Sequence, residues 1–171
     1  MAAFTSKPWQ SKIRVMPFAK LKSAFAKSKT RAAHLALGEM GERLALEFLK
    51  VNEGFEIVAT NFRVPLGRSL RGQKITGEID IVAYDEDTLV FIEVKTRSSD
   101  ELFAPERAVD LRKQRQIARA ARRFRQLMKV MDVPHRYDVV TVVPQKTGNK
   151  IDLLRGYFDE SVFLRGKYFS E

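Results

Sequence analysis

The spacing of apolar residues predicts two helices and about five strands after residue 30. Apolar positions at helical spacing predict one helix over residues 32–51, which Asn52-Glu53-Gly54 ends. A second helix is predicted from about Asp110, a good N-cap residue, to Met131. Runs of β-branched and aromatic residues predict the strands. The predicted strands are 55–62, 78–84, 89–97, 137–143 and 151–154.

Two connections between these elements carry opposite charge. Residues 63–76 are predicted to be a polar, glycine-containing loop with four basic residues and no acid. Residues 85–88, Asp-Glu-Asp-Thr, are acidic and fit a hairpin turn between strands 78–84 and 89–97. No internal repeat or second domain is evident, so we expect residues 31–171 to form a single domain.

Both strands of this hairpin contain charges where apolar residues are expected. Because strand residues alternate between faces, one face of each strand is wholly apolar, and the other carries Asp80 in the first strand and Glu93 and Lys95 in the second. Paired strands bring residues of one face to within about 5 Å of each other. Charge inside a sheet is costly unless it is paired or binds a metal.

An acid followed by Glu-x-Lys on the next strand fits a magnesium site. Mg²⁺ prefers hard oxygen ligands, which Asp80, Glu93 and the backbone carbonyl of Val94 could supply. A metal lowers the pKa of its bound water, which can then attack a phosphodiester. Lys95 could orient or deprotonate that water and offset the charge of the phosphate.

Each predicted helix also has a charged residue out of place. Glu42 lies at the margin of the apolar arc of the first helix, where it could join the carboxylate site, reach solvent or pair with Arg43. Lys113 lies among the apolar residues of the second helix, and Gln114 flanks the same arc. We expect Lys113, with Gln114, to point toward the carboxylates and contact substrate phosphate. The arginine-rich outer face of this helix is either a solvated surface or a second phosphate-contacting surface.

Composition narrows the classes of function. The 171 residues include no cysteine, which excludes disulfides and thiol chemistry and suits a reducing cytoplasm. No apolar run approaches the ~20 residues that span a membrane. The net charge is +10, and residues 1–38 hold eight basic residues and no acid. We therefore expect residues 1–30 to be a basic, flexible arm, either a solvated tail or a nonspecific contact to nucleic acid.

Together these motifs resemble the PD-(D/E)xK, or restriction-endonuclease-like, superfamily, and within it the YraN family of small uncharacterised bacterial proteins. The resemblance covers about residues 35–160. It implies an α/β fold with a restriction-endonuclease-like core, a mixed central sheet of about four to five strands flanked by helices. The motifs that carry it are Gly38-x-x-Gly-Glu-x-x-Ala45, Thr60-Asn-Phe-Arg63, Gly77-Glu-Ile-Asp80, Phe91-Ile-Glu-Val-Lys-x-Arg97, Lys113 and Arg136-Tyr-Asp138.

The chain is also similar to archaeal Holliday-junction resolvases, in which a glutamate of the first helix joins an acid-acid-lysine triad. By motif position Glu42 takes that role, and the triad is Asp80, Glu93 and Lys95. The resemblance implies an endonuclease that uses Mg²⁺ or Mn²⁺, acts on branched or damaged DNA, and is compatible with a homodimer. The absence of cysteine leads us to expect a cytoplasmic location. The predicted loop 63–76 is longer than this family leads us to expect.

Two other functions remain compatible with the sequence. The first is a non-catalytic nucleic-acid-binding protein on a nuclease fold, and the second is a scaffold protein whose charges form a buried salt-bridge network. Asp138 is predicted to be a structural partner of an arginine. The residues predicted to contact nucleic acid are Lys113, Gln114, Arg97, Arg68, Arg71 and Lys74.

Overall fold

The computed structural model describes residues 29–69, 71–97, 108–146 and 148–164. Helix α1 spans Lys29–Val51 and helix α2 spans Leu111–Met128. A short 3₁₀ helix, Glu160–Phe163, follows the last strand. The predicted arm over residues 1–30 lies outside the described residues, apart from Lys29 and Thr30 at the start of α1. The strands are β1 Glu56–Arg68, β2 Lys74–Asp85, β3 Thr88–Thr96, β4 His135–Val143 and β5 Lys150–Phe158.

The five strands form one mixed sheet in the order β1-β2-β3-β4-β5. Strands β3 and β4 are parallel, and the other three neighbouring pairs are antiparallel. Because parallel neighbours need a long crossover, α2 lies in the connection between β3 and β4. This α/β arrangement is consistent with the predicted restriction-endonuclease-like core.

Each face of the sheet is covered by one helix. Ala45 and Leu49 of α1 pack on one face with Ile81, Val90 and Ile92. The other face packs against the apolar side of α2 and forms the larger cluster, which contains Ile117, Phe124, Val82, Phe91 and Tyr137. Burial on both faces explains why the centre of β3 is a continuous apolar run rather than an alternating one.

Helix α2 begins as predicted and ends earlier. The Asp110 carboxylate accepts a hydrogen bond from the Lys113 backbone N–H at 2.8 Å, which is an N-cap interaction. Lys129 adopts a left-handed conformation with φ of 56°, and its N–H bonds to the last carbonyls of the helix. The predicted end at Met131 is therefore wrong, because the backbone reverses at Lys129.

The predicted loop 63–76 is mostly strand. Strand β1 continues to Arg68 and β2 already begins at Lys74, so the loop prediction is wrong outside residues 69–73. Pro65 is tolerated because β1 is an edge strand, and the register shifts beside it, between Pro65 and Gly67. Strand β5 likewise runs beyond its predicted end, to Phe158.

Gly41 lies where α1 approaches strand β3 closely. A Cβ atom at this position would lie 1.7 Å from the Thr96 Oγ1 atom of β3. Gly77 of β2 has a similar role beneath α2, where a Cβ atom would lie 2.8 Å from the Ala120 Cβ atom. The two glycines immediately precede Glu42 and Glu78 in the sequence. No helix in the described part of the chain is long and apolar enough to cross a membrane.

Replacing Gly41 with alanine should push α1 away from β3, because the added methyl group would overlap Thr96. We expect Gly41→Ala to lower the free energy of unfolding by about 1–3 kcal/mol, as measured by urea denaturation. Gly38→Ala is the matched control, because nothing lies within 4 Å of a Cβ atom there. It should be neutral or stabilise the helix by up to about 1 kcal/mol. Equal effects of the two substitutions would contradict the close contact.

Candidate active site

The site is built where β2 and β3 separate. Their pairing runs from Asp85 and Thr88 to Ile81 and Ile92 and ends there. Asp80 follows, and its Oδ2 atom accepts a hydrogen bond from the Val94 backbone N–H at 2.8 Å. Since the N–H and C=O of one strand residue point toward the same neighbouring strand, the Val94 carbonyl is directed toward the same gap. A carboxylate thus replaces backbone pairing at this point.

Glu93 is the most deeply buried carboxylate of the site, with its side chain only 2% exposed. Lys95 Nζ lies 2.8 Å from its Oε1 atom, and Lys113 Nζ lies 3.0 Å from its Oε2 atom. The first lysine is on the same strand and the second comes from the first turn of α2. Each carboxylate oxygen therefore lies beside an ammonium, but only Oε1 accepts a hydrogen bond, and the buried Oε2 atom has a charge contact alone.

Asp80 is less well compensated than Glu93. The pKa of Asp80 is raised to about 7, chiefly by burial and then by the neighbouring charge of Glu93. The hydrogen bond from Val94 and the charge of Lys113 lower this pKa but do not restore its ordinary value. At neutral pH the Asp80 carboxyl is thus poised between its neutral and ionised forms.

A pocket of about 190 Å³ connects Asp80 to helix α1. Glu42 lines this pocket, together with Asn61 of β1 and Asp80. The Asn61 Nδ2 atom donates a hydrogen bond to the Glu42 Oε2 atom at 3.2 Å. Glu42 therefore faces the carboxylate site, and Asn61 holds its side chain across the pocket.

Asn61 reaches Glu42 because its backbone is left-handed, with φ of 51°, inside a strand. Its chain neighbours Thr60 and Phe62 keep their pairing with β2. Asparagine tolerates this conformation better than most residues. Sequence reasoning included Asn61 in a motif but assigned it no contact. The detectable signal was an asparagine within an otherwise strand-like run.

An exposed ion pair flanks the pocket. The Arg63 guanidinium donates to the Glu78 Oε1 atom from both Nε and Nη2, at 2.9 and 2.7 Å. The hydrogen bond and charge of Glu78 raise the pKa of Arg63, and the charges of Glu42 and Asp80 contribute less. Arg63 therefore remains a fixed positive charge beside the site.

The residues predicted to contact nucleic acid lie in three places. Lys113 is at the carboxylates, and Arg97 is exposed directly after β3. Arg68, Arg71 and Lys74 lie at the end of the β1–β2 hairpin. Lys74 is six residues from Asp80 along β2, which corresponds to roughly 20 Å.

Gln114 differs from the expectation that it accompanies Lys113. Its Nε2 atom donates to the Val109 carbonyl at 2.7 Å, at the start of α2. The amide is thus engaged by backbone next to the N-cap. The structure brings together Glu42, Asp80, Glu93, Lys95 and Lys113, whereas Gln114 contacts the backbone that precedes its own helix.

The acidic residues do not form a preassembled triad. Among the residues that the structure describes, no group of three or more His, Cys, Asp or Glu side chains is arranged to hold a metal ion. The candidate oxygen donors are two carboxylates and a carbonyl at the strand gap, with Glu42 across the pocket. A metal ion would therefore have to draw these oxygen atoms together when it binds, because they are not already arranged around one point.

Asp138 has the structural role predicted for it. Its carboxylate pairs with the Arg136 guanidinium at 3.0 Å and accepts the Gly156 backbone N–H at 2.8 Å. Arg136 also pairs with Asp85 at the end of β2 away from the candidate site. These contacts join β2, β4 and β5.

Comparison with known proteins gives the family. The model of "Uncharacterised protein family UPF0102" matches residues 41–142. This chain belongs to UPF0102. The resemblance to the YraN family is thereby confirmed, because UPF0102 is the YraN family. The residues matched to UPF0102 include Glu42, Asp80, Glu93, Lys95 and Lys113.

Curated UPF0102 proteins match most of the chain. The one from Caldicellulosiruptor saccharolyticus is 39% identical over 117 residues, which cover 68% of this chain and 90% of that protein. The one from Acetivibrio thermocellus is 39% identical over 118 residues, or 69% and 83% of the two chains. A solved structure, "Crystal structure of SSO0001", aligns with 80% of this chain and 59% of its own, at 18% identity and a TM-score of 0.41.

The raised pKa of Asp80 predicts a pH-dependent effect of Asp80→Asn on stability. The folded state keeps this proton up to about pH 7, whereas the unfolded chain loses it near pH 4. The stability that the protonated carboxyl contributes is therefore present below pH 4 and is lost as the pH rises through 7. Without divalent metal at pH 8, we expect Asp80→Asn to be more stable than the wild type, by an amount on the order of 2–4 kcal/mol.

Urea denaturation in EDTA at pH 5 and pH 8 measures this difference, which should shrink at the lower pH. Asp85→Asn is the matched control on the same strand. Arg136 and Arg155 lower the pKa of Asp85 against the effect of burial, so its loss should destabilise the protein at both pH values. A less stable Asp80→Asn variant at pH 8 would show that the ionised carboxylate is already well compensated.

Proposed function

We propose that this protein is a Mg²⁺-dependent endonuclease that hydrolyses phosphodiester bonds in DNA, with branched or damaged DNA as its substrate. One observation carries the proposal: the Asp80 carboxylate is held at the strand gap by the Val94 backbone N–H, next to the paired Glu93 and Lys95. This combination of hard oxygen donors and a lysine suits metal-assisted attack on a phosphate.

The donors fit Mg²⁺, and Mn²⁺ by the same chemistry. Asp80, Glu93 and the Val94 carbonyl would hold the ion, and Glu42 could add a ligand from across the pocket. The elevated pKa of Asp80 supports this assignment, because a divalent cation would favour the ionised carboxylate that burial disfavours. When bound, the ion would lower the pKa of a water molecule and offset charge on the phosphate.

The protein residues would share the remaining work. Lys95 would orient the attacking water and stabilise negative charge at the phosphate, since its ammonium is held beside Glu93. Asn61 would keep Glu42 turned toward the pocket through their hydrogen bond. Gly41 would fix the depth of α1, because no larger residue fits against Thr96.

DNA would approach a surface with excess positive charge. Arg97 lies at the end of β3, and the hairpin carries Arg68, Arg71 and Lys74 about 20 Å from Asp80 along β2. Such residues neutralise phosphates without reading sequence, which suits recognition of DNA by its shape. A homodimer would present two such sites to a branched substrate.

A second candidate is a non-catalytic nucleic-acid-binding protein on the same fold. It is favoured by the lack of three convergent metal-binding side chains within the described ranges. A pure scaffold with a buried salt-bridge network is supported less. Two lysines offset the charge of Glu93, but the pKa of Asp80 remains strongly raised. The ionised Asp80 carboxylate therefore costs stability, which a purely structural salt-bridge network would not be expected to retain.

Cleavage assays separate these candidates. Wild-type protein with Mg²⁺ or Mn²⁺ should cut branched, flap or single-stranded DNA, and Asp80→Asn should lower the rate at least about 100-fold while sparing binding. The effect is expected because the neutral amide is a poorer metal ligand than a carboxylate. Asp85→Asn should keep its activity, since Asp85 pairs with arginines at the other end of β2. If Asp80→Asn cleaves as fast as the wild type, Asp80 has no catalytic role.

The hairpin predicts a salt-dependent contribution to DNA binding. Arg71→Gln with Lys74→Gln should weaken binding and reduce the slope of log K against log salt concentration by about 2. Arg68 is left intact because it bonds to the Gly72 carbonyl within the turn. The control pair, Lys50→Gln with Lys146→Gln, removes the same charge from other exposed positions. Equal losses in the two pairs would mean that net charge alone matters.

A further inference from the structure

Lys113 occupies an unusual position for a lysine that is to contact substrate. Its ammonium is 3.0 Å from the Glu93 Oε2 atom, and the other oxygen of the same carboxylate is held by Lys95 at 2.8 Å. Both oxygens of a proposed metal ligand are therefore engaged by protein cations.

The two lysines are not equivalent. The charge of Lys113 acts on Asp80 as well as on Glu93, whereas Lys95 binds only the near oxygen of Glu93 among the contacts described here. Lys113 reaches Glu93 from helix α2, on the other side of the carboxylate from Lys95, and its side chain is partly exposed. The Lys113 ammonium is thus a positive charge held at the candidate metal ligand by a side chain that can move away.

We propose that Lys113 is a built-in counter-ion that takes the place of the divalent metal beside Glu93, and that the metal must displace it. This inference rests on the metal site of the proposed function. A cation bound about 2.1 Å from a Glu93 oxygen would meet strong repulsion from an ammonium at its present distance. Lys113 can leave because its charge is on a flexible stem and its side chain is 27% exposed.

Displacement would couple metal binding to substrate capture. In the metal-free protein Lys113 neutralises the carboxylates and is not available to phosphate. Once the metal provides that positive charge, the ammonium is released at the mouth of the same site, where a DNA phosphate would be its next partner. The site would then become strongly cationic toward DNA only when it is loaded with metal.

Lys113→Met tests the proposal because it keeps the apolar stem and removes the charge. We expect Mn²⁺ to bind this variant at least about tenfold more tightly than it binds the wild type, as measured by calorimetry at pH 7.5, because no ammonium has to be displaced. Lys95→Met should tighten Mn²⁺ binding much less. Arg112→Met, an exposed neighbour on α2, should leave it unchanged.

Wild-type protein provides a readout that does not depend on how the variants fold. The rate at which the Lys113 amine is acylated, followed by mass spectrometry, should rise at least a few times when Mn²⁺ is added. Removing the Mn²⁺ with EDTA should restore the original rate. An unchanged or slower rate in protein that binds Mn²⁺ would overturn the proposal.

The outcomes distinguish this inference from the proposed function. If the wild type binds Mn²⁺ and Lys113→Met binds it no more tightly, the counter-ion role is wrong and the metal site is retained. If Lys113→Met and Lys95→Met increase the Mn²⁺ affinity equally, the effect comes from the loss of any positive charge near the site. This result would also overturn the counter-ion role of Lys113. If neither wild type nor Lys113→Met binds Mn²⁺, the metal site and the counter-ion role both fall.

Discussion

The structure around the candidate site depends on burying Asp80 and Glu93 close together. Two carboxylates in one low-dielectric region repel each other, and each loses hydration. Three contacts offset this repulsion: the Val94 backbone N–H donates to Asp80, and one lysine lies beside each oxygen of Glu93. The break between β2 and β3 provides the space for this cluster, because backbone pairing stops where the carboxylates begin.

The two aspartates of β2 show how differently one strand can treat the same side chain. Asp85 pairs with Arg136 and Arg155, which also lie over the Phe55 ring, and its pKa is lowered despite burial. No arginine in the described part of the chain pairs with Asp80, and its pKa rises to about 7. The ion pairs of Asp85 therefore stabilise one end of β2. At the other end, the buried Asp80 carboxylate lowers stability when it is ionised, which is typical of residues in functional sites.

Patterns of short range were sufficient to predict much of this arrangement. Alternation along the hairpin singled out Asp80, Glu93 and Lys95, and helical periodicity singled out Glu42 and Lys113, because each charge conflicts with its immediate neighbours. Contacts between distant segments were not predictable in this way. The close approach of Gly41 to Thr96 depends on how the elements pack together, and the left-handed Asn61 depends on a local distortion of β1.

The errors in element boundaries have a related cause. Glycine, proline and basic residues between Arg63 and Thr76 are typical of loops, but pairing with β2 holds most of this segment extended. Likewise, apolar periodicity continues past Lys129, although a left-handed residue ends α2 there. Strand pairing overrides the local preference in the first place, whereas a local C-cap ends the helix in the second. The Gln114 side chain is also engaged locally, by the Val109 carbonyl five residues earlier.

The edge strand β1 has a consequence for self-association. An exposed edge offers unpaired backbone groups to any other strand, and long flat edges promote aggregation. Pro65 cannot donate a backbone hydrogen bond, and register shifts between Ile57 and Ala59 and between Pro65 and Gly67 disturb the regular geometry of the strand. Growth of the sheet through β1 is therefore disfavoured by the described part of this edge.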